Sequence, residues 1–262
     1  MTGLPPAVDG TVVTVGTFDG VHLGHRDILD RLSASGRERG LPSVLVTFDP
    51  HPLEVVNPTA APHLLTLGDE KSEVLATCNV DYVVVLPFTR TLSTYTAEQF
   101  VDEVLIKRVR MRHLLIGHDH GFGRGRGGNA DVLRAMAGQR RFGVDVVDPV
   151  GADVLHPYSS TAIRRAVAGG DLVRAAHALG RDYSLNGVVQ PGAGRGRSLG
   201  FRTINLGSPS PRKLLPPEGV YAVRVQTFCG FFIQDSSRSE SVGSCCLAGY
   251  IFAPSVSESH QI

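Results

Sequence analysis

The first two thirds of the chain alternate short β-branched runs with longer stretches of helical period, and no other feature limits its fold as strongly. Residues 12–15, 43–48, 82–86, 113–116 and 144–147 read as strands. Between them, residues 27–39, 69–78, 96–110 and 130–141 space their apolar side chains by three and four, the period of a helix with one buried face. Such alternation predicts a parallel sheet with helices on its faces, a Rossmann-like α/β domain with its site beyond the carboxyl ends of the strands. Two more helices are expected over Ser160–Ala168 and residues 171–179, with serines available as N-caps to the first. After Gly180 the chain becomes Gly- and Pro-rich, with short β-like pieces at residues 184–190 and 220–226. The reading therefore divides the chain into residues 1–182, a β-type module at 183–226, and a Ser-rich tail at 227–262 that does not look like the completion of a barrel.

Composition narrows the function classes. A net charge of +1 argues against a nucleic-acid or membrane surface held mainly by charge. Most basic residues are Arg, the better planar donor to phosphate, and lysine occurs only at Lys71, Lys107 and Lys213. The cysteines Cys78, Cys229, Cys245 and Cys246 form no CxxC pair, so neither a zinc site nor a disulfide framework is expected. The first residues lack the basic start and apolar core of a signal peptide, and no apolar run approaches the roughly 20 residues of a membrane span. A cytoplasmic protein is the expectation.

The stretch at residues 12–26, VVTVGTFDGVHLGHR, carries a strand through a turn into the first turn of a helix. His22 and His25 are three apart and face the same side there. Backbone N–H groups and the helix dipole offer an anion site at such a position. Three readings stay open on spacing alone: imidazoles donating to a polyphosphate, a metal pair with His51 as third ligand, or two polar residues in a turn. The segment TFDPHP at residues 47–52 reads as a proline-fixed extended turn at a strand end. Gly123, Gly125 and Gly128 formally match a dinucleotide fingerprint, with Asp148 about twenty residues on. They begin seven residues after the fourth strand, however, which breaks the tight strand–turn–helix geometry; a basic lid is the more economical reading. Ser159, Ser160 and Thr161 place hydroxyls at a helix start and Arg164 one turn later, a pattern that suits pyrophosphate as well as an ordinary cap. A second Gly/Arg loop spans residues 192–205 and lacks a Walker ending.

Taken in order, GTFDGVHLGH, TFDPHP, DEKSEVL, VDYVVVLPFT, IGHDHGFGRGRGG, SSTAIR, LGRDYSLNG, GRGRSLGF and PPEGVYAV resemble the prokaryotic bifunctional riboflavin kinase/FAD synthetase family, over about residues 12–226. The resemblance implies an N-terminal FMN adenylyltransferase that joins FMN and ATP into FAD and pyrophosphate with Mg2+. It carries the HxGH pair onto His22 and His25 and the SSTxIR segment onto Ser159, Ser160, Thr161 and Arg164. Asp119 falls on the family's Asn/Asp position, and Gly16 and Phe18 would contact the nucleotide. His22, His25 and Arg164 are the implied catalytic residues. Gly121 stands where the family has a larger residue.

The C-terminal module resembles riboflavin kinase, a small β barrel. Its PTAN segment reads Arg202-Thr203-Ile204-Asn205 here, keeping Thr203 and Asn205 as the implied nucleotide and Mg2+ contacts. After Gln226 the family's later strands, activating glutamate and closing helix find no counterpart. A truncated barrel leaves an open edge, so riboflavin kinase activity is expected to be lost. Two alternatives are a fully bifunctional enzyme, if the tail is an artefact, and a non-catalytic flavin- or nucleotide-binding remnant.

Overall fold

A computed structural model describes residues 4–117, 121–148, 158–191, 200, 204–207, 210–229 and 245–252. Five strands run in parallel: Thr11–Val15 (β1), Ser43–Asp49 (β2), Tyr82–Pro87 (β3), Met111–Gly117 (β4) and Gly143–Val147 (β5). The helices between them are Leu23–Arg39 (α1), Pro52–Val56 (α2), Gly68–Ala76 (α3), Arg90–Ser93 (α4), Ala97–Phe100 (α5) and Ala130–Arg140 (α6). The chain forms two compact units, residues 1–62 with 71–159, and residues 63–70 with 160–262.

The first unit is built on β1. The sheet order is β3-β2-β1-β4-β5, so the chain leaves β1 toward β2 and later returns to its other side as β4. That reversal makes the crevice beyond Val15 the topological switch point of the sheet. Every residue of β1 is buried, as a strand covered on both faces requires. Val12 packs with Leu45, Leu115 and the α1 residues Leu29 and Leu32. Val13 and Val15 join the other cluster, with Val44, Val46, Leu114 and Ile116 against Phe100, Leu105, Leu133 and Met136. At about 1.5–3 kcal/mol per fully buried aliphatic side chain, these two layers dominate the unit's stability. Helix α1 ends on Gly40, whose φ of 63° lets its N–H close onto Arg37 and Gly36, with Arg37 and Arg39 in the last turn complementing the dipole.

Two elements differ from the sequence expectation. Residues 96–110 do not form one α-helix: α5 passes into a π-helix at Val101–Ile106, where Lys107 N–H reaches Asp102 O across five residues. Val101, Val104 and Leu105 of this segment all face the core, as they would on an α-helix. After β2 the proline segment continues into α2, with His51 as its N-cap.

The second unit holds Ser160–Ala168 (α7), Leu172–Leu179 (α8) and an antiparallel sheet of Tyr183–Gln190 (β6), Asn205–Leu206 (β7), Ala222–Cys229 (β8) and Cys245–Phe252 (β9). Its order is β7-β6-β9-β8. Strand β9 lies in the tail, where the sequence reading expects no part of the sheet. Cys-Cys-Leu-Ala-Gly-Tyr-Ile-Phe is an apolar run suited to a central strand, and its Ser-rich flanks mask it. The core gathers Leu65, Ile163, Val167, Leu172, Ala175, Leu179 and Tyr183. Beside it Glu70 and Lys213 form a buried ion pair. The same carboxylate accepts N–H bonds from Leu67 at 3.2 Å and Asn186 at 2.8 Å.

Candidate active site

The turn from β1 into α1 holds three of its residues at positive φ: Phe18 at 47°, Gly20 at 81° and Val21 at 40°. For a β-branched residue such as Val21 this conformation is an outlier, and strain of this kind persists only where the surroundings impose it. The surroundings are dense, with Phe18 and Val21 both buried. Two glycines stand at close approaches. A Cβ on Gly16 would lie 2.8 Å from the Phe18 ring, and one on Gly24 would lie 3.3 Å from His22 Nδ1 and 3.5 Å from Tyr158 O.

The turn delivers two stacked imidazoles. The rings of His22 and His25 lie 3.6 Å apart at an interplanar angle of 17°, and Phe18 covers His25 from 4.7 Å. His22 is the N-cap of α1, its Nδ1 accepting the backbone N–H of His25 at 3.3 Å. An Nδ1 that accepts carries no proton, which puts the N–H of the neutral ring on Nε2. His25 titrates well below the ordinary imidazole range because burial disfavours its cation, and the charges of His22 and Lys71 add to that. Its Nδ1 is buried and has no hydrogen-bond partner among the described residues. The turn thus places two imidazoles at a helix N-terminus, where they are suited to donating hydrogen bonds to an anion, and His25 is a poor proton acceptor because burial disfavours its cation.

Lys71 is the residue that sequence reasoning passes over. Its ammonium donates to Thr17 O and Thr47 Oγ1, both at 2.6 Å, and the Thr47 hydroxyl donates in turn to Thr17 O at 3.1 Å. Burial pulls its pKa down to about 8, against the opposing pull of Asp19 and Asp49. The available signal was its scarcity: Lys107 pairs with Glu103 on the surface and Lys213 is buried with Glu70, leaving Lys71 as the third lysine of the chain.

The remaining expected residues fall as follows. Gly16, Phe18, His22 and His25 come together in the first unit, where Ser159 also lies. Ser160, Thr161 and Arg164 start α7 in the second unit, and Arg164 Nε donates to His63 O at 3.1 Å. Asn205 opens β7, exposed and paired in register with Gln190. Asp119 and Thr203 lie outside the described residues. His51 does not join the imidazole pair as a metal ligand; its Nδ1 accepts from Leu53 N at 3.2 Å, and Glu54 closes a capping box on its N–H. Two of the dinucleotide-like glycines sit in packed positions: a Cβ on Gly123 would lie 2.6 Å from Ala97 N and one on Gly128 3.0 Å from Ala97 Cβ, and Gly128 N–H bonds Phe122 O at 2.9 Å, whereas Gly125 adopts a φ of 65° with open space around it. Among the described residues no group of three His, Cys, Asp or Glu could hold a metal ion, and no helix is long and apolar enough to cross a membrane.

Comparison with known proteins gives this site a family. The FAD synthetase family matches residues 5–162, and the riboflavin kinase family matches residues 179–238. The bifunctional riboflavin kinase/FMN adenylyltransferase of Escherichia coli strain K12 is 39% identical over 222 residues, covering 83% of this chain and 68% of its own. That of Haemophilus influenzae is 37% identical over 224 residues, covering 85% and 71%. Among solved structures, a protein from Streptococcus pneumoniae described as a macrolide-efflux protein superposes with a TM-score of 0.78 at 25% identity, over 95% of this chain and 86% of that one. The FAD synthetase match spans more than half of the chain, and the relatives exceed 30% identity over more than two thirds of their own length, so the chain belongs to the bifunctional riboflavin kinase/FMN adenylyltransferase family.

Proposed function

We propose that residues 1–182 carry FMN adenylyltransferase activity, transferring AMP from ATP to FMN to give FAD and pyrophosphate. The observation that carries this reading is the stacked His22–His25 pair at the N-terminus of α1, inside the FAD synthetase match. A phosphate oxygen of FMN attacks the α-phosphorus of ATP in line. One P–O bond forms, the α–β bridging P–O bond breaks, and the electron pair leaves on pyrophosphate. With a second phosphate pKa of ~6, the nucleophile is already ionised at neutral pH and needs no general base. The chain therefore has to position two anions and stabilise the charge that moves onto the leaving group. Imidazole N–H groups at the N-terminus of α1 are matched to that task. Ser159, Ser160, Thr161 and Arg164 are assigned to the phosphates, as the family resemblance implies. The first-unit turn offers imidazoles and an ammonium rather than an oxygen cage, so Mg2+ enters as the ion bound to the ATP phosphates. The reaction is assigned to the cytoplasm.

We further propose that riboflavin phosphorylation is lost. The Pro and Ala of the PTAN segment are replaced, and the exposed strand β8 pairs on one side only among the described residues. The bifunctional names of the relatives and the strand supplied by the tail favour a second reading, a retained kinase. One assay separates them. Purified protein given FMN, ATP and Mg2+ should form FAD, and protein given riboflavin and ATP should form no FMN. His22→Ala or His25→Ala should lower FAD formation by ~10²-fold or more. Unchanged rates in both variants would refute the assigned role of the pair, and FMN formed from riboflavin would refute the loss of the kinase.

A further inference from the structure

Lys71 is held in an arrangement that its own neighbours do not complete. Its ammonium has three donors, and among the described residues its two hydrogen-bond partners, Thr17 O and Thr47 Oγ1, are both uncharged. No ion pair to Lys71 occurs among the described residues, although the side chain is half-buried. The charges of Asp19 and Asp49 act on it favourably, but neither carboxylate pairs with it directly, so a direct anionic partner would offset more of the cost of burying the charge. Both tethers lie at the carboxyl ends of the parallel strands: Thr17 two residues beyond β1, and Thr47 within the last turn-ward residues of β2. The charge is close enough to His25 to influence its titration.

We propose that Lys71 is an anion-receiving residue of this site, its third donor and its charge directed at a phosphate oxygen of the bound substrate. The inference deepens the adenylyltransferase reading and rests on it for the identity of the anion, which is a phosphate group of ATP or of FMN. Thr17 O and Thr47 Oγ1 store the ammonium between turnovers and aim it across the end of β1. Asp19, Asp49 and His25 are the titratable groups that face it, and the two carboxylates keep it charged.

The test measures binding of ATP and of FMN separately by calorimetry, for wild type, Lys71→Met and Lys71→Arg, each checked by circular dichroism. Loss of one charge-assisted hydrogen bond should weaken one of the two ligands by ~10- to 100-fold in Lys71→Met, with Lys71→Arg recovering most of it. Weakened ATP assigns the contact to the nucleotide, and weakened FMN to the flavin phosphate. Wild-type protein supplies a second measurement should Lys71→Met fail to fold. Affinity for the contacted ligand should fall as pH rises through about 8, where Lys71 loses its proton while His25 is already neutral. Equal affinities for both ligands in folded Lys71→Met and wild type overturn the proposal, as does a flat wild-type titration between pH 7 and 9.5 if that variant does not fold. Binding that depends on Lys71 without any FAD formation would instead refute the adenylyltransferase reading and leave the anion site standing.

Discussion

Replacing Glu70 by Gln removes a charge and almost no volume, so it isolates the electrostatics of the buried pair in the second unit. Glu70 and Lys213 are 6% and 5% exposed. The carboxylate accepts from Lys213 Nζ, Leu67 N and Asn186 N, and the ammonium also donates to Leu65 O at 2.7 Å and lies 4.8 Å from the Tyr183 ring centroid. In Glu70→Gln the Lys213 ammonium stays enclosed but loses its carboxylate, keeping the Leu65 carbonyl and the Tyr183 π face beside the new amide. Removing one member of such a pair costs about 3–5 kcal/mol, a large share of the ~5–15 kcal/mol that holds a domain together. Changing both partners, Glu70→Gln with Lys213→Met, leaves no buried charge and should cost much less than the sum of the single changes. Urea unfolding followed by far-UV circular dichroism gives the energies, since the chain has no Trp. Amide exchange at Asn186, whose N–H the carboxylate accepts, reports the local opening. A loss below ~1 kcal/mol for Glu70→Gln, or strict additivity in the double variant, would refute this account of the pair.

Three more outcomes are expected. Gly24→Ala puts a methyl 3.3 Å from His22 Nδ1 and should shift the ring by a few tenths of an ångström, lowering FAD formation by about 10-fold with little change in Tm; an unaltered rate would show that the ring position is not critical. His25 has a folded-state pKa lowered by burial, so below its unfolded value the unfolded chain binds more protons. Stability should therefore fall as pH drops below ~6.5 toward the folded value. His25→Asn should lessen that dependence, as thermal melts between pH 5 and 8 will reveal. On β8, Val223 and Val225 are about half exposed on the end strand of the second sheet, so Val223→Lys with Val225→Lys should change stability by less than ~1 kcal/mol in thermal melts, and a larger loss would show that these side chains are packed.

The central strands β1 and β2 were legible because they are short, rich in β-branched residues and largely buried on both faces, so Val12 and Val44 stand out without any knowledge of their partners. His22 and His25 were legible from spacing, since a helix start places residues three apart together. Other features depend on distance in the chain or on backbone geometry. Lys71 gains its role from Thr17 and Thr47, 54 and 24 residues away, and nothing local marks it. The positive φ values at Phe18 and Val21 leave no trace in residue type, because neither is a glycine. The π-helix at Val101–Ile106 keeps the same apolar residues inward that an α-helix would. His51 looked like a ligand because a histidine used as a helix cap is written the same way as one that binds metal.

The left-handed turn residues also say where this protein resists improvement. Glycine relieves the backbone at such positions, and each strained residue carries a cost on the order of 1–3 kcal/mol. A search for thermostable variants would therefore be drawn to Phe18→Gly and Val21→Gly. Both side chains are buried, however, and the Phe18 ring is one wall of the slot that keeps His25 neutral. Any gain in backbone comfort is set against a lost core side chain and, at Phe18, a wetter imidazole. Stability and turnover should thus trade against each other more steeply at Phe18 than elsewhere on the sheet, and selection on melting temperature alone would move this turn away from the chemistry it serves.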